Sequence, residues 1–240
     1  MRSAFGATLL CAVACGLRDV QGPPGEEQVV VQGVLNAQFS EQVLWIERTI
    51  PAGDPLQSGL RPLAVPPSRV EVRDSTGAVF PFHVDAANAA RFVAVFTPIP
   101  GHRYDLLVEA GPIELTATTR VPDAVTIVDP AADTVMIARN VTLPVKWAGP
   151  PRLMRVAFVN IDGISYPQWV SADTAANVLL PAARTSTVWV LAVDSATVKF
   201  LDPFVPLVDP SLSGQLRGNI NGGAGVFTAV ASDHVVVQVR

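Results

Sequence analysis

Beyond Cys15 the chain has no cysteine, and Cys11 is the only other one. After that point no disulfide, no cysteine-based zinc site and no thiol nucleophile can form. Histidine is nearly as scarce: His83, His102 and His234 are the three, and no two are close in sequence. Neither H-E-x-x-H, G-x-S-x-G nor C-x-x-C occurs, and no glycine-rich loop leads into a Lys and a Ser or Thr. These absences predict no catalytic residue, no metal and no cofactor. Basic charge is also lacking: 17 Lys and Arg face 21 Asp and Glu, a net of −4. That excludes a generally basic nucleic-acid binder. No apolar run reaches the roughly 20 residues of a spanning helix.

Apolar residues make up 49% of the 240, enough to fold. The 21 prolines are close to twice the usual share of about 5%. With 17 glycines beside them, they argue against long helices and for strands broken by turns.

The chain starts MRSAFGATLLCAVAC, with Arg2 as a positive head and Ala4 to Ala14 as an apolar stretch of secretory length. Arg18 and Asp19 follow too soon for a membrane span, and Gln21 to Glu27 has linker composition. Ala12-Val13-Ala14-Cys15 resembles the lipobox of bacterial lipoproteins, with Ala12 where leucine is usual. The expectation is a signal peptide over 1–14, then a lipidated Cys15 and a flexible linker over 15–27. Acyl chains such as palmitate on Cys15 would make the membrane a partner and the protein an anchored one. Plain secretory cleavage after Ala14 is the alternative.

Past the linker the hydrophobic period is two. Gln28 to Leu35, Glu41 to Arg48, Arg69 to Arg73, Ala78 to Val84, Arg91 to Phe96, Arg103 to Glu109 and Ile113 to Arg120 read as strands. Their number and spacing fit one β-sandwich over 28–122. Asp85 to Ala90 leaves room for a helical turn. A second sandwich-like unit is expected over 123–240, after Val121-Pro122-Asp123 and a hinge at Asp129-Pro130. Its strands would be Val125 to Val128, Thr134 to Ala138, Leu143 to Trp147, Arg155 to Asn160 and Thr187 to Asp194. Thr197 to Phe200, Gly225 to Val230 and His234 to Val239 would complete it. Leu201 to Gly225 is too long for an ordinary loop. The fold class is all-β, with two β-sandwich, immunoglobulin-like domains, or else one large distorted sandwich.

Several segments, in order, resemble a family of bacterial envelope lipoproteins grouped as domain of unknown function 4249. They are Cys15 with its linker, Val30-Val-Gln-Gly-Val-Leu35, Pro67-Ser-Arg-Val-Glu-Val-Arg-Asp74 with Gly77, and Pro100-Gly-His-Arg-Tyr-Asp-Leu-Leu-Val108. Ala117-Thr-Thr-Arg-Val-Pro122 and Asn219-Ile-Asn-Gly-Gly-Ala-Gly-Val-Phe227 follow. The first half also resembles a carboxypeptidase regulatory-like sandwich. The family resemblance implies the outer membrane of a Bacteroidetes-like bacterium, facing periplasm or cell surface. It also implies a setting near nutrient-uptake receptors, and it transfers no catalytic residue.

Individual side chains add little chemistry. His102 reads as a solvated turn residue, and His83 and His234 as half-exposed strand residues. Asp162, Asp173, Asp194, Asp202 and Asp209 read as scattered turn residues without the close spacing of a calcium loop. Trp45, Trp147 and Trp189 read as core. Asn219 and Asn221 sit in a glycine-rich turn that enters an inner strand, with Phe227 as its anchor. Tyr166 and Trp169 are a candidate exposed platform for a glycan or peptide. The possible binding surface is therefore Tyr166, Trp169, Asn219 and Asn221. The expected function is a non-enzymatic envelope lipoprotein that binds or scaffolds another envelope protein, with a role accessory to an outer-membrane uptake system as one form of it. The alternatives are a glycan-binding accessory protein and a carboxylate-dependent hydrolase, since two acidic groups from distant strands leave no linear signature.

Overall fold

The computed structural model describes residues 28–49, 60–63, 66–138, 141–149, 154–160, 165–168, 174–179, 185–196 and 218–239. Seventeen strands lie among the described residues, so the structure is all-β, built of sheets whose inward faces pack against one another. In the first half these are β1 (Val29–Asn36), β2 (Glu41–Thr49), β3 (Leu60–Pro62), β4 (Arg69–Asp74), β5 (Val79–Pro81), β6 (His83–Asp85), β7 (Asn88–Val95), β8 (Arg103–Ala110) and β9 (Ile113–Arg120). Then come β10 (Thr126–Asp129), β11 (Thr134–Ile137), β12 (Thr142–Ala148), β13 (Met154–Asn160), β14 (Ser165–Gln168), β15 (Ala175–Leu179), β16 (Thr185–Val193) and β17 (Ala224–Val239).

One ten-stranded sheet runs β14-β13-β16-β17-β1-β2-β7-β6, with β11 beside β17 and β3 beside β2. Two smaller sheets, β5-β4-β8-β9 and β10-β12-β15, lie apart from it. Alternation decides which residues meet between the layers. In β4 it turns Val70 and Val72 inward, and in β9 Leu115 and Ala117. They join Leu44, Tyr104 and Leu106 in a first core. A second core gathers Val145, Trp147, Val188, Val190 and Val237.

The last strand ties the two cores together. Its first half pairs in parallel with β1, from Val30–Ala224 to Asn36–Val230. From Val230 onward it pairs antiparallel with β16. Phe227 and Ala229 belong to the first core, while Ala231, Val235 and Val237 belong to the second. All five share one side of the strand by alternation. Each such buried side chain contributes at most about 1.5–3 kcal/mol.

Several expected elements differ. Ala78 to Val84 is not one strand: it breaks at Phe82, which is buried in the first core while its N–H donates to the Val70 carbonyl at 2.8 Å. Asp85 to Ala90 forms no helical turn but a hairpin turn between β6 and β7, in which the Asp85 carboxylate accepts the Ala87 N–H at 2.8 Å. Gly225 to Val230 and His234 to Val239 are parts of one sixteen-residue strand. Thr197 to Phe200 and Leu201 to Arg217 lie outside the described residues.

A candidate binding cleft at the seam between the cores

The hairpin of β8 and β9 folds about Gly111 and Pro112, and its register sets the outer face of the smaller first sheet. Arg69, Glu109 and Glu114 form one row across β4, β8 and β9. Glu71, Leu107 and Thr116 form the next, then Arg73, Asp105 and Thr118. Arg103 and Arg120 form the last, directly opposite each other. Most of these charges have partners on the face. Arg69 bonds Glu71 at 2.8 Å and Glu109 at 3.3 Å, and Arg73 stands 3.6 Å from Glu71. Arg103 bonds Asp105 at 2.9 Å, and the Thr118 hydroxyl donates to Asp105 at 2.7 Å. The Arg69 guanidinium is held above its ordinary pKa first by its hydrogen bond to Glu71.

Two concavities adjoin this face. The larger, of about 690 Å³, is an open cleft lined by Ser75, Gly101, Arg103, Thr118 to Asp123, and Asp194 to Ala196. It lies where β17 passes from one core to the other. The Asp194 N–H donates to the Ala229 carbonyl at 3.1 Å. At the cleft's base the Asp194 carboxylate accepts the Thr119 hydroxyl, and both residues are buried. The smaller, of about 380 Å³, lies over Glu71, Arg73, Asp105 and Thr116, with Asn221 at its rim. Thr118 lines both.

The turn beside the cleft is held by hydrogen bonds from the Gly101 N–H to the Val121 carbonyl at 2.9 Å and from the Val121 N–H to the His102 carbonyl at 3.0 Å. Asp74 caps the neighbouring turn. Its carboxylate accepts the Thr76 hydroxyl and the Thr76 and Ala78 N–H groups. The Thr76 hydroxyl is the main cause holding its pKa below the ordinary carboxylate value, ahead of those two N–H groups and the nearby His102. His102 is only partly the solvated turn residue that its sequence context predicts, with its side chain 30% exposed. Its Nδ1 is buried, makes no hydrogen bond and stands 3.8 Å from Asp74.

The residues singled out by sequence do not converge. The Asn219 carboxamide donates to the carbonyls of Thr118 and Phe227 and accepts the Phe227 N–H, so its polar atoms are committed to backbone. Asn221 exchanges both backbone hydrogen bonds with Thr116 on β9. Tyr166 lies in β14, opposite Phe158 of β13, away from both concavities in the sheet order. Trp169 lies outside the described residues, as do Asp162, Asp173, Asp202 and Asp209. Asp194, read as a solvated turn residue, is instead buried. Trp147 is core as expected, but Trp45 is not: alternation puts it on the face opposite Leu44 and Ile46, 38% exposed. Trp189 is half-buried and stacks on exposed His234 at 4.5 Å. Among the described residues no group of three or more His, Cys, Asp or Glu could hold a metal ion, and no helix is long and apolar enough to cross a membrane.

Arg103, Arg120, Ser75 and Thr118 had no place in the sequence-based site. The signal was present: pairing outward from the Gly111-Pro112 turn brings Arg103 opposite Arg120.

Comparison with known proteins gives a family but no function. The profile of a family described as Domain of unknown function (DUF4249) matches residues 19–158. No curated protein matches. Among solved structures, a two fibronectin type-III domain segment from chicken tenascin is similar at 12% identity, covering 90% of this chain and 98% of that one, with a TM-score of 0.27. The N-terminal four Ig domains of Dscam1 isoform 6.44 are similar at 8% identity, covering 90% and 52%, with a TM-score of 0.24. A 1.5-MDa bacterial ice-binding adhesin is similar at 14% identity, covering 91% and 66%, with a TM-score of 0.24. Scores this low carry no argument, and the fold class rests on the sheets themselves.

Proposed function

The chain belongs to the Domain of unknown function (DUF4249) family, whose profile spans more than half of it, and from that premise we propose a cell-envelope lipoprotein that acts by binding. In this reading Cys15 carries the lipid, residues 15–27 tether the protein to the outer membrane, and the partner is another envelope protein or a ligand that such a protein handles. The supporting observation is the open cleft at the seam. Its wall carries exposed Ser75, Thr118, Arg120 and Asp123, none of which packs in either core. Polar side chains converging in a concavity are the ordinary form of a recognition site.

Filling the cleft tests the reading. Ser75→Trp alters an exposed turn position and should leave the melting temperature unchanged. A pull-down from solubilised envelope should then lose a partner that the wild type retains. An unchanged partner set would remove the cleft from the function. Turnover of a purified substrate, abolished by changing Asp194, would replace binding with catalysis.

A further inference from the structure

We infer that the cleft takes a carboxylate, held at its mouth by Arg120 with help from Arg103; this rests on reading the cleft as the binding site. The first observation is the register. Arg103 and Arg120 are directly opposed across β8 and β9, an arrangement of like charges that weakens a sheet. At the far end of the same hairpin Glu109 opposes Glu114, and there Arg69 supplies a counter-ion to Glu109. The basic pair is compensated only on one side: Arg103 bonds Asp105, whereas the Arg120 guanidinium makes no hydrogen bond or ion pair among the described residues. An anion between the two guanidinium groups would complete the pattern.

The second observation is what surrounds them. Both arginines line the cleft together with the hydroxyl-bearing Ser75, Thr118 and Ser195. A guanidinium offers a planar fork that matches a carboxylate in bidentate fashion. Asp123 and Asp194 line the same cleft, so a dianion such as phosphate meets more repulsion there than a singly charged carboxylate. Hydroxyls beside the fork favour a ligand that carries hydrogen-bonding groups next to its carboxylate.

The test uses the full chain, labelled for amide NMR, and four salts or solutes at equal ionic strength: sodium acetate, acetamide as the neutral isostere, inorganic phosphate, and sodium chloride as reference. Acetate should shift the amides of Gly101 and Thr118 to Val121 in a saturable way. Arg120→Gln should weaken it at least tenfold, and Arg103→Gln less, because Asp105 already shares that side chain. Arg120 is exposed, so its variant should retain the wild-type spectrum elsewhere. Acetate shifts no larger than those with chloride would overturn the inference. So would phosphate binding as tightly as acetate at neutral pH. Acetamide shifting the same amides as strongly, with no effect of Arg120→Gln, would overturn the carboxylate while leaving the cleft as the binding site.

Discussion

Asn219 shows how one side chain sets the entry to the last strand. Its carboxamide satisfies both backbone groups of Phe227 and also reaches the Thr118 carbonyl of β9. Removing it leaves three backbone groups to find other partners. Asn219→Ala should therefore lower stability by about 1–2 kcal/mol, read as a fall in the urea midpoint. Asn219→Asp keeps the acceptor for the Phe227 N–H but sets a carboxylate oxygen against the Thr118 and Phe227 carbonyls, so it should cost at least as much as alanine. The glycines around it allow the same close approach: Gly225 has φ of 109°, and a Cβ there would overlap the Val31 carbonyl. The sequence reads this segment as a tight turn anchored by Phe227, because glycine spacing and an aromatic are local signals. The job of Asn219 is not readable, since Thr118 is about a hundred residues away in the chain.

Asp74 adds a pH dependence at the same scale. Its folded pKa lies below the ordinary carboxylate value, chiefly because the Thr76 hydroxyl donates to it. The charged form thus stabilises the fold above the unfolded pKa, and that contribution is lost as pH falls through the ordinary carboxylate value toward the lower folded one. Melting temperature should drop with acidification over that window, and Asp74→Asn should flatten the drop. An unchanged slope in the variant would show that other carboxylates carry it.

At the scale of elements, β17 makes the two cores interdependent. It supplies Phe227 to one and Val235 and Val237 to the other, and joins β1 to β16 within one sheet. Ending the chain at Arg217 should consequently abolish folding of the first core as well as the second, seen as loss of near-ultraviolet dichroism from buried Tyr104 and Trp147. In the intact chain a single calorimetric transition is expected. The first-half strands were largely legible because their inward residues alternate cleanly, as in Arg69 to Arg73. β17 was not: Asp233 and His234 look like an interruption, yet the Asp233 carboxylate accepts the Ile127 N–H at 2.7 Å and the strand runs on. β3 escaped notice because three residues carry no period. The cleft was hidden for a different reason, since its walls come from four separate stretches brought together only by pairing.

For the whole molecule the decisive question is attachment. If Cys15 is the lipidated residue, protein extracted from membranes should begin there, with the added mass of its acyl chains. Several chains hold a protein far more firmly than one. A soluble species beginning at Cys15 without added mass would contradict the proposed anchor. The all-β character was readable from period and turn chemistry. The sharing of one large sheet was not, because parallel pairing of the first and last strands links residues with nothing in common locally.

That pairing has a mechanical consequence. β1 and β17 run in the same direction, so tension between an anchor before Val29 and a load beyond Val239 draws the two strands past each other along their length. The hydrogen bonds from Val30–Ala224 to Asn36–Val230 then bear the force together. An antiparallel hairpin such as β8 and β9, drawn apart at its open end, would instead peel one bond at a time. Survival under tension depends on the rate of forced opening rather than on equilibrium stability. If the protein is tethered ahead of Val29, a pull applied beyond Val239 would thus be borne by β1 and β17 together.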